Sequence, residues 1–532
     1  MRKGLGKGAV GSVGVLGAVF VLAVAAGGCT DKKKGAGSGE GQQLAGGKVS
    51  DLRLTPSGEH ALYLLDGEKP RLEGVPEQML VGELWAVPTA GGGAQKLGNG
   101  VTNRPGGWVV SADSRWALFL SGYNPVAQTG TLMAYDLSGD LGEAVELGRD
   151  VSYMVPSPDS KGAAFVSEGV LQVGPLPKGP FRPVSGEVHT AGYTPDGQHL
   201  LFRRKLQAAG GFFVAPLGGD QNAPVQPVKL GEQVGDFSAS PDSGRVAFTQ
   251  RSATARGTWE LFLASAPEWK TQKVAVGVGQ FGFSPDSKWL ARTEGGTPDE
   301  LGDLHVGPAA GGAGRKLAPK VKEFEFSPQS DAVAWLERYD IPSSAGILGF
   351  AELPAGEPKR IGNRVPNFAW SPDGKTLAFI SRFIKPVYTV DLMLYRRGTD
   401  EEAKKVHQDV FAYNFEPKGR YVLYRSNCTR NARACDLFQL DPQKVEEGGT
   451  RILEGIYSFR SSQDGERLLV THARMDSKLY DVAVYNPQTR QRKLVAQFIQ
   501  LPAQFADKAG ERVIFMGARA NAAGVYAAEG MP

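Results

Sequence analysis

The sequence is poor in the residues that most often carry chemistry. Its 532 residues include 3 cysteines and 6 histidines. The histidines (His60, His189, His199, His305, His407 and His472) are scattered, and no H-E-x-x-H pair presents two of them on one helix face for zinc. No G-x-S-x-G elbow, Walker loop, Rossmann glycine pattern or calcium loop occurs, which removes the signatures of the common hydrolase and nucleotide-binding classes. Beyond the first thirty residues no stretch reaches the ~18 continuous apolar residues of a spanning helix. Charge of one sign is also scarce. The formal net charge is +4, and Arg2, Lys3 and Lys7 lie in a segment read below as removed, which leaves about +1. A near-neutral chain has no electrostatic case for nucleic acid. Aromatic residues are spread without a tract.

Glycine is abundant: 70 residues, about 13% against a typical ~7%. Glycine without a collagen period points to many turns, and many turns to many short strands. At 532 residues the chain is too long for one ordinary core.

Residues 1–28 read as a secretory signal. MRKGLGK supplies a basic start, AVGSVGVLGAVFVLAVAA an apolar stretch, and Ala26-Gly27-Gly28 small residues before Cys29. The cysteine after small residues resembles the lipobox of bacterial lipoproteins, with Ala26 where that family usually has Leu. The resemblance implies lipidation of Cys29 and anchoring to the cell envelope. Thr30 after the cysteine, in place of an inner-membrane Asp, favours the outer membrane facing the periplasm. Residues 29–48 read as a flexible tether, because TDKKKGAGSGEGQQLAGG cannot bury enough apolar surface to fold. Several acyl chains hold far more firmly than one.

The remainder is a repeat. TPSGEHALYLL (55–65), SADSRWALFLS (111–121), SPDSKGAAFVS (157–167), TPDGQHLLFRR (194–204), SPDSGRVAFTQ (240–250), SPDSKWLARTE (284–294), SPQSDAVAWLE (327–337) and SPDGKTLAFIS (371–381) share one phrase. Three worn copies follow at 416–426, 462–472 and 507–517, and the last seven spacings are all 43–46 residues. Proline sets φ for a turn, Asp caps it, and Gly or Ser tolerates the remaining backbone. Apolar runs such as Thr376–Ser381 and Leu392–Tyr395 supply further strands. Four short antiparallel strands per ~44 residues are a propeller blade.

The SPDG-x-x-hydrophobic phrase resembles the repeat of TolB-type β-propellers, relatives of WD repeats, over residues 45–532. The WD dipeptide and the Gly-His of those relatives are absent. The resemblance implies an all-β fold of about eleven four-stranded blades and leaves function open. That family includes partners of envelope proteins as well as enzymes with extra domains. Eleven units exceed the 4–8 blades typical of one ring. The expected organisation is therefore two propellers in tandem, 49–270 with about five blades and 271–532 with about six. One oversized ring is the alternative. The last unit lacks a fourth strand, and Gln42–Ala45 resembles an orphan one that would close a ring and hide its edge.

Asp159, Asp196, Asp242, Asp286, Asp373 and Asp464 fall one per blade and read as turn caps, not as a carboxylate site. Cys428 and Cys435 lie in a loop between two strands, where an oxidising compartment and close strand ends favour a disulfide. No further Cys or His lies near them, so no metal is expected, and no cofactor. Arg430 and Arg433 in the same loop read as solvated, and Asn427-Cys-Thr429 is discounted as a glycosylation site in a bacterial context. The functional expectation is a binding or scaffold lipoprotein for an envelope protein or glycan. The alternative is a hydrolase or lyase with a loop-built site.

Overall fold

The computed structural model describes residues 41–532 apart from 71–75, 77, 140–141, 205–209, 219–223, 256, 297–300, 382–389, 430, 476, 518–522 and 531–532. The signal segment, Cys29, Arg430 and most of the tether lie outside the described residues.

The repeated phrase builds a turn that satisfies its own polar groups. Ser157 Oγ donates to Asp159 Oδ1 at 2.6 Å, and the same Oδ1 accepts the Lys161 amide at 3.1 Å. Ser157 Oγ in turn accepts the Gly162 amide at 2.9 Å. Ser160 takes the left-handed conformation, φ 62°, that the reversal needs. Gly162–Ser167 then pairs antiparallel with the end of Val145–Pro156. With the Ser157 hydroxyl and Asp159 Oδ1 engaged inside the turn, apolar residues on both sides of it pack.

Repetition of this unit gives eight antiparallel sheets, five of four strands and three of seven. In the larger sheets one long strand (Val145–Pro156, Arg315–Phe326 or Arg492–Phe505) is the fourth strand of one blade and the first of the next. Read this way, the protein is an all-β propeller of eleven four-stranded blades. The first strands of blades 1 to 11 are Val49–Leu54, Trp108–Val110, the end of Val145–Pro156, Val188–Tyr193, Val234–Ala239, Val278–Phe283, the end of Arg315–Phe326, Phe368–Trp370, Ala412–Phe415, Ser458–Ser461 and the end of Arg492–Phe505. No α-helix occurs among the described residues.

Each blade buries both faces against its neighbours. Tyr63, Phe119, Phe165, Phe202, Phe248, Phe379 and Tyr424, all on second strands, are almost fully buried. Burying one such side chain contributes roughly 1.5–3 kcal/mol. Part of the glycine excess serves this packing and not turns. A Cβ at Gly98, on the fourth strand of blade 1, would stand 2.3 Å from the Phe119 ring of blade 2. Gly362 and Phe379 repeat the relation between blades 7 and 8, at 2.5 Å.

The buried clusters run from blade to blade in chain order. Leu261, Leu263 and Ala275 of blade 5 pack on Val278 and Leu290 of blade 6. Ile514 and Val525 of blade 11 pack on Ala61 and Tyr63 of blade 1. Two rings of five and six blades would need junctions between blades 1 and 5 and between 6 and 11. Among the described residues no buried cluster joins those blades, and the eleven junctions form one closed cycle. The boundary expected at 270/271 falls inside Lys270–Val276, the fourth strand of blade 5.

The tether is shorter than expected. Gln42–Gly46 pairs antiparallel with Gly524–Glu529 and supplies the missing fourth strand of blade 11. Leu44 is buried in the junction between blades 11 and 1. A polar stretch with one well-placed leucine gains order here because an open sheet edge is waiting for it.

Candidate functional site

The antiparallel meander sorts the connections onto two faces. First-to-second turns and third-to-fourth loops lie on one, the turn face. Second-to-third loops and the links between blades lie on the other, the loop face.

On the turn face the repeated Ser/Thr–Asp pairs are hydrogen-bonded within their own turns. The hydroxyls of Ser157, Thr194, Ser240, Ser284, Ser371 and Ser462 donate at 2.5–2.7 Å to Asp159, Asp196, Asp242, Asp286, Asp373 and Asp464. Burial pushes the carboxyls of Asp196, Asp242, Asp286 and Asp464 up, but hydroxyl and amide hydrogen bonds outweigh it and hold them below the usual range. For Asp159 the Ser157 hydroxyl is the leading cause. Each of these aspartates belongs to a different blade, and the six carboxylates do not converge on one site. Among the described residues no group of three or more His, Cys, Asp or Glu side chains is placed to hold a metal.

The loop face is different. Every strongly exposed large apolar side chain that sits in a described loop is there: Val126, Ile341, Phe411 and Met475, the last 88% exposed. Between blades 9 and 10 this face is braced. Cys428 and Cys435 form a disulfide across the second-to-third loop of blade 9, whose flanking strands, Val422–Ser426 and Cys435–Leu440, are paired. Arg433, expected to be solvated, instead donates to Arg474 O at 2.9 Å and Ser477 O at 2.7 Å in the next blade's loop. Asn427 is exposed and donates to Asp436 at 3.0 Å. Phe411 lies 5.0 Å from the guanidinium of Arg425.

A second feature lines the inner strands. Glu323 and Glu325, two apart on the first strand of blade 7, share one side of that strand. Both reach solvent, and no hydrogen bond or ion pair engages either carboxylate among the described residues. Surrounding protein pushes both carboxyls above the usual range, and the charge of Glu323 adds to the effect on Glu325. Tyr413 of blade 9 donates to Asn367 Oδ1 at 3.0 Å and Ala378 O at 3.2 Å. Burial, then the charges of Glu323 and Glu325, push its phenol up. At the loop-face end of blades 6 and 7 a cavity of about 560 Å³ is lined by Pro319, Lys320, Arg338, Tyr339 and Asp340.

Sequence reasoning missed Glu323, Glu325, Phe411 and Met475. The glutamates had a readable signal. Where sister repeats carry Gly-Asp-Phe-Ser (235–238) and Gly-Gln-Phe-Gly (279–282), blade 7 carries Lys-Glu-Phe-Glu (322–325). The exposed apolar residues had none, because a single Phe or Met in a loop is ordinary.

No protein-family model matches the chain, and no curated protein does. Among solved structures it is similar to a eukaryotic initiation factor, at 12% identity over 76% of this chain and 88% of that one, with a TM-score of 0.43. It is also similar to tricorn protease, at 12% identity and a TM-score of 0.31 over 88% of this chain and 56% of that one. An oligogalacturonate lyase in complex with manganese matches at 14% identity over 71% and 97%, with a TM-score of 0.30. The propeller assignment itself rests on the strand order and pairing described above.

Proposed function

We propose that the chain is a lipoprotein of the bacterial envelope, lipidated at Cys29, whose TolB-like propeller binds an envelope protein or glycan through its loop face. The observation that carries this reading is the contrast between the two faces. On the turn face the repeated Ser/Thr–Asp pairs bond within their own turns, while the loop face holds the exposed apolar residues Val126, Ile341, Phe411 and Met475.

Two measurements test it. Cys29→Ser is expected to release the protein from membranes, and a variant that resists alkaline washing overturns the anchor. Captured from envelope extracts, the partner is expected to be lost with Met475→Asp or Phe411→Asp and kept with Lys161→Glu on the turn face. Retention by every loop-face variant overturns the assignment of the face.

A second reading, a hydrolase or lyase, is favoured by one observation: the adjacent, unpaired Glu323 and Glu325 with raised carboxyl pKa values. Turnover of a glycan by the purified chain that disappears in Glu325→Gln would establish it.

A further inference from the structure

Arg425 sits on the second strand of blade 9 and is 8% exposed. Its Nη2 donates at 3.0 Å to Ala432 O and at 3.0 Å to the sulfur of Cys435. Its Nε is buried and has no partner. No carboxylate pairs with this guanidinium among the described residues, and burial pushes its pKa down to about 10. A buried cation without an anion is costly, and such groups are normally paired. The atom it points at is a sulfur, which is neutral in the disulfide and anionic once the disulfide opens. The two sulfurs also differ in access. Cys435 is buried at 1% exposure, whereas Cys428 is partly open to solvent.

We infer that Cys428–Cys435 is a thiol–disulfide exchange site for an external dithiol, with Cys428 the sulfur attacked and Arg425 the stabiliser of the departing Cys435 thiolate.

In the first step a thiolate of the dithiol attacks Cys428 Sγ. A mixed disulfide forms, the Cys428–Cys435 bond breaks, and its electron pair leaves on Cys435 Sγ beside the guanidinium. In the second step the dithiol's other thiol gives its proton to solvent and attacks its own sulfur in the mixed disulfide. Cys428 leaves and takes up a proton from water. The dithiol is oxidised to a disulfide by two electrons, and the protein disulfide is reduced by two. A leaving thiol of lowered pKa departs faster, and a neighbouring cation lowers it. Opening also frees the loop carrying Arg433, which braces Arg474 and Ser477 beside the exposed Met475. The exchange thereby loosens the loop face between blades 9 and 10.

The test uses the folded full-length chain, dithiothreitol as the dithiol, and mass spectrometry of the peptides bearing 428 and 435, so that Cys29 does not interfere. Arg425→Met is expected to slow reduction about tenfold, by loss of leaving-group stabilisation, and Arg425→Lys to recover part of the rate by keeping the charge. Equal rates in wild type and Arg425→Met overturn the role of Arg425. A second measurement needs no variant at position 425. Briefly exposed to glutathione, the wild-type chain is expected to carry the adduct on Cys428. Adduct on Cys435, or no adduct with the disulfide intact at millimolar glutathione, overturns the exchange site itself.

Discussion

Five junctions of the ring are fastened by one repeated hydrogen bond, and its removal has a calculable cost. The serine that ends the turn phrase, held at positive φ, accepts an amide from the preceding blade's turn. Ser114 accepts from Ser57, Ser160 from Asp113, Ser243 from Asp196, Ser287 from Asp242 and Ser330 from Asp286. Ser287 spans blades 5 and 6, is 4% exposed, has φ 62°, and lies 2.9 Å from the Asp242 nitrogen. Ser287→Ala keeps the left-handed backbone and removes the acceptor, which leaves a half-buried amide unsatisfied at a cost of about 1–3 kcal/mol. Ser287→Gly removes the same acceptor but relieves roughly 1–2 kcal/mol of left-handed strain, so its net cost is smaller. The repeats at Gly197, Gly374, Gly419 and Gly465 already use that solution, with φ between 69° and 74°. Hydrogen exchange of the Asp242 amide is the direct assay, because a repeat array opens locally before it unfolds globally. Protection is expected to fall in both variants and the urea midpoint to fall more in the alanine variant. Unchanged protection, or a glycine variant less stable than the alanine one, refutes the reasoning.

Three further outcomes follow from the same geometry. Leu44→Ala is expected to cost about 2–5 kcal/mol at the seam between blades 11 and 1, read as early loss of exchange protection in Gly524–Glu529; a uniform loss throughout the ring would contradict it. Gly98→Ala places a Cβ 2.3 Å from Phe119 and is expected to destabilise by about 1–3 kcal/mol through overpacking, whereas Gly98→Ala with Phe119→Leu should recover much of the loss in a thermal melt. Glu325 binds its proton more tightly in the fold than in the unfolded chain, so its contribution falls as pH rises from the ordinary glutamate range through its raised folded value. Glu325→Gln is therefore expected to melt higher than wild type at pH 7 and to show little gain at pH 4, and the reverse order would sink the assignment.

The blade count, the turn chemistry and the cysteine pair were legible because each rests on local spacing. Pro285, Asp286 and Ser287 specify their turn wherever it stands in the ring, and a sequence separation of seven beside two paired strand ends holds Cys428 and Cys435 together. The ring size was not legible in the same way. Whether blade 5 meets blade 6 or blade 1 depends on small rotations between successive blades, and no single residue encodes them. Gln42–Gly46 shows both sides of the matter. The fourth strand missing from the last unit marked it as a strand, but its polar composition equally suited a tether, and only the unpaired edge of Gly524–Glu529 decides. The inner-strand glutamates and the cation at Cys435 needed neighbours that the sequence does not name. Arg425 sits in an apolar second strand much as Arg203 and Arg292 do, and its distinguishing contact comes from a residue ten positions away.

The closing strand also fixes how an anchor at Cys29 would hold the ring. Gly524–Glu529, a third strand, runs from the loop face to the turn face. Its partner runs the other way, with Gln42 opposite Ala527 and Gly46 opposite Gly524. The chain preceding Gln42 therefore meets the ring at the turn face. Twelve intervening residues, rich in Gly and Lys, span at most ~40 Å when extended and on the order of 20 Å as a coil. In the proposed reading the membrane thus lies on the side of the turns, whose Ser/Thr–Asp pairs are already hydrogen-bonded, and the loop face points away from it. The division seen within each blade, hydrogen-bonded turns on one side and exposed loops on the other, becomes a division between the side that is held and the side that is offered to a partner.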